Sequence, residues 1–401
     1  MDMAQDPSGD TAITRPDELL VLVLQGGGAL GAYQAGVFEA LSEKDALPDW
    51  IAGISIGSIN AALIAGNPPE TRVAALRGFW QTISSLVTFD PPVPGLVART
   101  VFNEASATAS ALLGIPGFFR PRLPPTYVLP TEDPGALSYY DTAPLRDTLL
   151  KFCDFDHLND KGPRVSLGAV NVGTGNFCYF DTDDVRIGPE HVMASGALPP
   201  GFPPVEIDGE WYWDGGIVSN TPLQYVIERG VKHDMVAFQI DLFSARGSLP
   251  RTMEEVSKRE KDIRFSSRTR LGTDVVKQRQ LERRAIHRLL EKLPPDFDDD
   301  SDAAFLRDHE NDASVTIVHL INRMRKHSRD SKDYEFSRHS VEERWNDGYH
   351  DAMCTLQHPA FVNRSKPDRT IEVLDLATGE DLSDSRTSAP GRRNFMSGKR
   401  R

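Results

Sequence analysis

The chain predicts an α/β fold built on a central, mainly parallel sheet flanked by helices, and three observations carry that expectation. Apolar, strand-forming runs recur at residues 19–24, 50–54, 164–172 and 235–242. The first two runs each end in a glycine-containing turn. Each of those turns opens directly into an apolar pattern at helical spacing, so strand, turn and helix follow one another twice within the first 65 residues.

Residues 19–24, Leu-Leu-Val-Leu-Val-Leu, lack polar alternation and so read as a strand covered on both faces. Gly26-Gly27-Gly28-Ala29-Leu30-Gly31 then lies at that strand's C-terminal end. After it, Ala32, Tyr33, Ala35, Val37, Phe38, Ala40 and Leu41 keep a broad apolar helical face. The backbone N–H groups at such a helix start can receive an anion, whether a pyrophosphate or an oxyanion.

The second strand, about Trp50 to Ile54, leads through Gly53-Ile54-Ser55-Ile56-Gly57 into a helix. A serine in that corner is held in a tight turn with its hydroxyl outward, and Gly53 and Gly57 remove side chains that would strike neighbouring elements. Two readings remain open here. Gly26, Gly28 and Gly31 also fit a GxGxxG dinucleotide loop, with Asp45 or Asp49 near the spacing of a ribose-binding acid.

Further along stand Ala194-Ser195-Gly196-Ala197-Leu198-Pro199-Pro200 and Trp211-Tyr212-Trp213-Asp214-Gly215-Gly216. With these the chain resembles the patatin-like phospholipase family: a glycine-rich loop, a GxSxG serine, an Ala-Ser segment leading to proline, and an Asp-Gly-Gly aspartate, in that order over about residues 19–241. The resemblance implies a three-layer patatin-like fold and a Ser-Asp dyad, with Ser55 the nucleophile and Asp214 its base. It also implies an oxyanion hole at Gly26, Gly27 and Gly28, supported by Gly31, Gly53, Gly57, Gly215 and Gly216. Leu30 departs from the pattern, because the family often has Arg or Lys there. A Ser-His-Asp arrangement would need a later histidine, and His233 is the nearest candidate.

The formal net charge of −13 argues against a nucleic-acid partner. Three dispersed cysteines, Cys153, Cys178 and Cys354, form neither a disulfide framework nor a zinc pattern, and no metal or cofactor is expected. With no secretory signal or membrane-spanning run, the expectation is a cytoplasmic protein compatible with peripheral membrane contact.

The organisation reads as a flexible N-terminal tail (1–17), a catalytic domain (18–245), a C-terminal extension (246–379) and a basic flexible tail (380–401). Proline- and glycine-rich residues 87–140 read either as a cap or as a packed connection. In the extension, residues 252–293 read as one long charged helical stretch with one face on the core. The acidic run 296–302 reads as a solvated loop. Residues 314–321 read as a strand and 341–356 as a helix. This half resembles the extension of a bacterial subgroup of patatin-like proteins.

The resemblance makes the leading expectation a lipid acyl hydrolase acting on a phospholipid, lysophospholipid or other acyl ester. The competing readings are a non-catalytic lipid- or partner-binding scaffold and the dinucleotide-binding protein.

Overall fold

The computed structural model describes residues 13–15, 17–91, 95–126, 132–230, 233–266, 269–294, 297, 300–309, 313–323, 330–366 and 371–376. The expected basic tail (380–401) and most of the N-terminal tail lie outside them, as does much of the acidic run. The strands are β1 (Glu18–Leu24), β2 (Trp50–Ile54), β3 (Arg120–Pro121), β4 (Tyr140–Asp141), β5 (Arg164–Asn171), β6 (Phe177–Asp181), β7 (Val205–Ile207), β8 (Glu210–Asp214), β9 (Asp234–Asp241), β10 (Val315–Ile321) and β11 (Ile371–Leu374).

Nine of these form one sheet in the order β11-β10-β9-β1-β2-β5-β8-β7, with β6 also paired to β5. From β11 to β5 every pairing is parallel, whereas β6, β7 and β8 pair antiparallel. The protein is thus an α/β fold with a mostly parallel central sheet and helices packed on it. In β1, Leu20, Leu22 and Leu24 enter the core on one face, and Val21 and Val23 enter that on the other. Both faces being covered, the strand is apolar without alternation.

The C-terminal half is not an appendage to this sheet. β10 pairs with β9 along seven residues, from Val315 opposite Met235 to Ile321 opposite Asp241, and β11 adds beyond it. The 252–293 stretch corrects the expectation of one continuous helix. Helices span Met253–Phe265 and Thr269–Leu290, and between them Ser266 is extended (φ −64°, ψ 153°). Of the apolar positions of this stretch whose side chains are described, Val256, Ile263, Leu281 and Leu289 are exposed. The break lets Phe265 stack obliquely on Phe243, with ring centroids 5.5 Å apart, at the end of β9.

The helix Ala32–Glu43, which follows the glycine loop, is buried almost all round because the helix Arg338–Gln357 covers its outer side. The two cross backbone to backbone. A Cβ on Gly36 would meet the Trp345 carbonyl oxygen at 1.9 Å, and one on Gly348 would meet the Tyr33 oxygen at 2.0 Å. Around this crossing the Tyr33 hydroxyl donates to Asp351 (2.8 Å), and the Arg77 guanidinium lies 3.8 Å over the Trp345 ring.

Because backbone cannot yield as a flexible side chain can, Gly36→Ala should force the helices apart. A loss of about 2–3 kcal/mol is expected. Urea unfolding of Gly36→Ala against the parent measures it; an unchanged midpoint would contradict the crossing.

Candidate active site

β2 pairs along β5 only as far as Ile54, opposite Gly168. The next residue of β5, Ala169, pairs with Asp214 at the end of β8. Since β6 already holds the other edge of β5 at Ala169 and Val170, β8 lies on the edge that β2 has just left. The chain leaves the sheet at Ser55, so Ser55 and Asp214 meet at this vacancy, although 159 positions separate them in the numbering. The Ser55 hydroxyl lies near enough to the Asp214 carboxylate to favour its ionised form.

The turn carrying Ser55 is strained, with φ 56° and ψ −123°. A serine in that region persists only where its surroundings over-determine it. Its N–H donates to both the Ser195 carbonyl and the Ser195 hydroxyl oxygen, each at 3.1 Å, and that hydroxyl donates to the Gly168 carbonyl (2.7 Å). Behind it the helix Ile56–Ala65 is buried on every side. A Cβ on Gly53 would lie 2.4 Å from the Gly57 oxygen, and one on Gly57 would lie 2.4 Å from the Leu24 oxygen. The two glycines that frame the serine therefore let the helix start sit directly on β1 and β2.

The glycine loop borders the same point. A Cβ on Gly26 would come within 3.0 Å of Ser55 Cβ. The Gly26 N–H, however, donates to the Asn220 carbonyl at 3.3 Å and is already engaged. For the N–H groups of Gly27 and Gly28, no protein acceptor is found among the described residues. Gly28 has φ +54°, which only glycine adopts without strain. Gly31 packs against Ile56 and Trp80.

Asp214 is 2% exposed. Burial raises its carboxyl to about 7, against two smaller opposing effects: the Gly216 N–H, which donates to Oδ1 at 2.7 Å, and the Ser55 hydroxyl. Gly215 lies against the Gly168 carbonyl, where a Cβ would come within 2.7 Å.

Residues that the sequence reading passed over hold this arrangement. Asn220, nearly buried, donates from Nδ2 to the carbonyls of Gly26 (3.0 Å) and Phe265 (2.8 Å), which ties the loop to the C-terminal half. Gln25 Oε1 accepts from the N–H groups of Leu242 (2.6 Å) and Phe243 (2.9 Å). The Gln25 carbonyl accepts from Gln34, Gln34 from Asn60, and Asn60 from Trp80, at 2.7, 2.9 and 3.1 Å. One signal was available for these: Gln34 and Asn60 interrupt otherwise apolar helices, and a buried amide needs partners.

Two alternatives lose their geometry. Asp49 sits at the N-terminal end of β2, where its carboxylate accepts from the Leu20 N–H (2.8 Å). Asp45 lies in the turn just before it. A ribose-binding acid belongs at the C-terminal ends of the strands, beside the glycine loop. His233 is exposed and just precedes β9, about 23 Å of parallel strand away from the serine end of the sheet.

Residues 22–227, just over half of the chain, match the family described as patatin-like phospholipase, and residues 263–368 match a second model described as patatin phospholipase. The chain belongs to the patatin-like phospholipase family. It is 33% identical over 91 residues to mouse patatin-like phospholipase domain-containing protein 7, a match covering 21% of this chain and 7% of that protein. It is 24% identical over 247 residues to lysophospholipase NTE1 of Kluyveromyces lactis, covering 60% and 14%. The matched segment is thus a small part of either curated relative. The crystal structure of VipD from Legionella pneumophila superposes with a TM-score of 0.37 at 14% identity, over 86% of this chain and 67% of that one. The family assignment does not rest on it.

In this patatin-like chain the buried carboxyl has a consequence for stability. Its folded value, about 7, lies above the ordinary 3.8, so the stabilisation held by the neutral form is complete below pH 4 and is lost as pH rises through 7. Asp214→Asn, which cannot ionise, should therefore gain stability over the parent from about pH 4 upward. The gain should level off above pH 7 at no more than about 4 kcal/mol. Melting temperatures of both proteins between pH 4 and 9 test this; a constant difference would contradict it.

Proposed function

We propose that the chain is a lipid acyl hydrolase of phospholipase A or lysophospholipase type, with a Ser55-Asp214 dyad and an oxyanion hole at Gly27 and Gly28. The observation that carries the reading is the meeting of Ser55 and Asp214 on one edge of β5, which sets the serine hydroxyl beside a buried carboxylate whose basicity is raised to about 7. An aspartate in water is too weak a base to take a serine proton, whereas one poised near neutrality is matched to that task.

In this reading the Asp214 carboxylate takes the Ser55 proton as Oγ attacks the ester carbonyl carbon. The carbonyl electron pair moves to oxygen, and the N–H groups of Gly27 and Gly28 hold the charge. Collapse of the tetrahedral species breaks the ester bond, and the leaving alkoxide takes the proton from Asp214. Water, deprotonated by Asp214 in turn, attacks the acyl-serine carbonyl carbon; collapse breaks the acyl–Oγ bond, Ser55 Oγ takes the proton back from Asp214, and the free acid leaves.

A lipid ester is favoured by the surroundings. Ile217 and Val218, immediately after Asp214-Gly215-Gly216, are exposed on the surface. Val97, Val101, Leu112 and Leu113 of the helix Leu96–Leu113 are exposed too, within the segment that reads either as a cap or as a packed connection. Apolar side chains left in water beside a site are suited to acyl chains or a bilayer surface. No helix among the described residues is long and apolar enough to cross a membrane, so peripheral contact is the proposed mode.

With a short-chain p-nitrophenyl ester, kcat/KM should rise with pH to a plateau with a midpoint of about 7, following Asp214 ionisation. Ser55→Ala and Asp214→Asn should each abolish turnover while remaining folded, and fluorophosphonate labelling should disappear in Ser55→Ala. Substantial turnover by either variant would overturn the dyad.

A further inference from the structure

The glycine loop carries no charged side chain, and Leu30 within it is buried at 4% exposure. A cation nonetheless reaches its backbone from the far end of the chain. Arg344, on the helix Arg338–Gln357, is only 13% exposed at its side chain, and its Nη1 donates to the Ala29 carbonyl at 3.2 Å. The same guanidinium donates to the carbonyls of Glu335 (2.8 Å) and Lys332 (2.9 Å). It thereby fastens residues 332–335 against the loop, with the Asp333 carbonyl lying over the Cα of Gly28. The nearest carboxylate, Glu335, stands 3.6 Å from Nη2, not from the nitrogen that serves Ala29.

The hydrogen bonds from Arg344 onward run in series. The Ala29–Leu30 peptide accepts from Arg344 at its carbonyl, and its N–H, on Leu30, donates to the Gly27 carbonyl at 3.1 Å. The Gly27–Gly28 peptide accepts there, and its own N–H is that of Gly28. Each peptide unit is delocalised, so electron density drawn toward a donor at the carbonyl leaves the N–H of the same unit more positive. We propose that Arg344 is the charged head of a two-peptide relay that sharpens the Gly28 N–H as an oxyanion donor. It is a positioning residue, touching no substrate, and the inference rests on the role given to Ser55 and Gly28 above.

The test compares p-nitrophenyl butyrate with its thionobutyrate analogue, in which the charge develops on sulfur, a poor hydrogen-bond acceptor. Arg344→Met, of similar length, should lower kcat for the oxygen ester about tenfold, with KM little changed, since the N–H remains but loses its polarisation. The thionoester should fall by less than about twofold, because it draws little on that N–H. A merely structural role would slow both substrates alike. Should Arg344→Met not fold, Arg344→Lys carries the same comparison: a single ammonium nitrogen lacks the planar, spread donors of the guanidinium that reach the three carbonyls together, and a smaller fall confined to the oxygen ester is expected. Equal falls, or none, overturn the relay. A Ser55→Ala protein that still hydrolyses the oxygen ester overturns the dyad and the relay together. An inactive Ser55→Ala with equal falls at Arg344 removes the relay alone.

Discussion

Everything at this site depends on one vacancy in the sheet. β2 stops pairing with β5 at Ile54, and the end of β8 occupies the next position on the same edge. Had β2 run one residue further, Ser55 would be a strand residue and Asp214 would have no partner on β5. The strained serine backbone, the start of the buried helix on β1 and β2, and the seating of the aspartate all follow from that termination. Gly53 and Gly57 make it sterically feasible, because the helix approaches to a distance that no Cβ would permit.

That geometry sets the electrostatics. An antiparallel strand ending inside the molecule delivers Asp214 to a place with little water, where its ionised form is poorly solvated and its basicity rises. The same burial makes the carboxylate a liability for stability near and above neutral pH, and the serine backbone stores strain beside it. Both are offset by the rigid network around them, from Ser195 and Gly168 on one side to Gln25, Gln34 and Asn60 on the other.

The C-terminal half belongs to this arrangement. β10 and β11 widen the sheet beside β9, and Leu242 and Phe243 at the end of β9 press on Gly27. The Phe265 carbonyl is tied to the glycine loop through Asn220, and Arg344 holds the Ala29 carbonyl. Two opposed ion pairs, Lys332 with Asp262 and Lys261 with Asp333, clamp residues 332 and 333 to the helix Met253–Phe265. The loop is supported by the second half of the chain as much as by the first.

By itself the sequence determined the local pieces: the apolar strands, the two strand-turn-helix units, the order of four motifs, and with them the fold class and the family. These were legible because they rest on short-range patterns, such as period, glycine placement and turn chemistry. Only the tertiary structure decided that the Gly26 N–H is engaged by the Asn220 carbonyl, that Asp49 and His233 lie at the wrong end of the sheet, and that residues 252–293 form two helices rather than one. It alone brought Arg344 to a loop more than three hundred positions earlier. Such contacts leave no trace in local periodicity, because strand order and register fix them across the whole chain. An arginine turned inward from a polar helix reads in sequence like any exposed one.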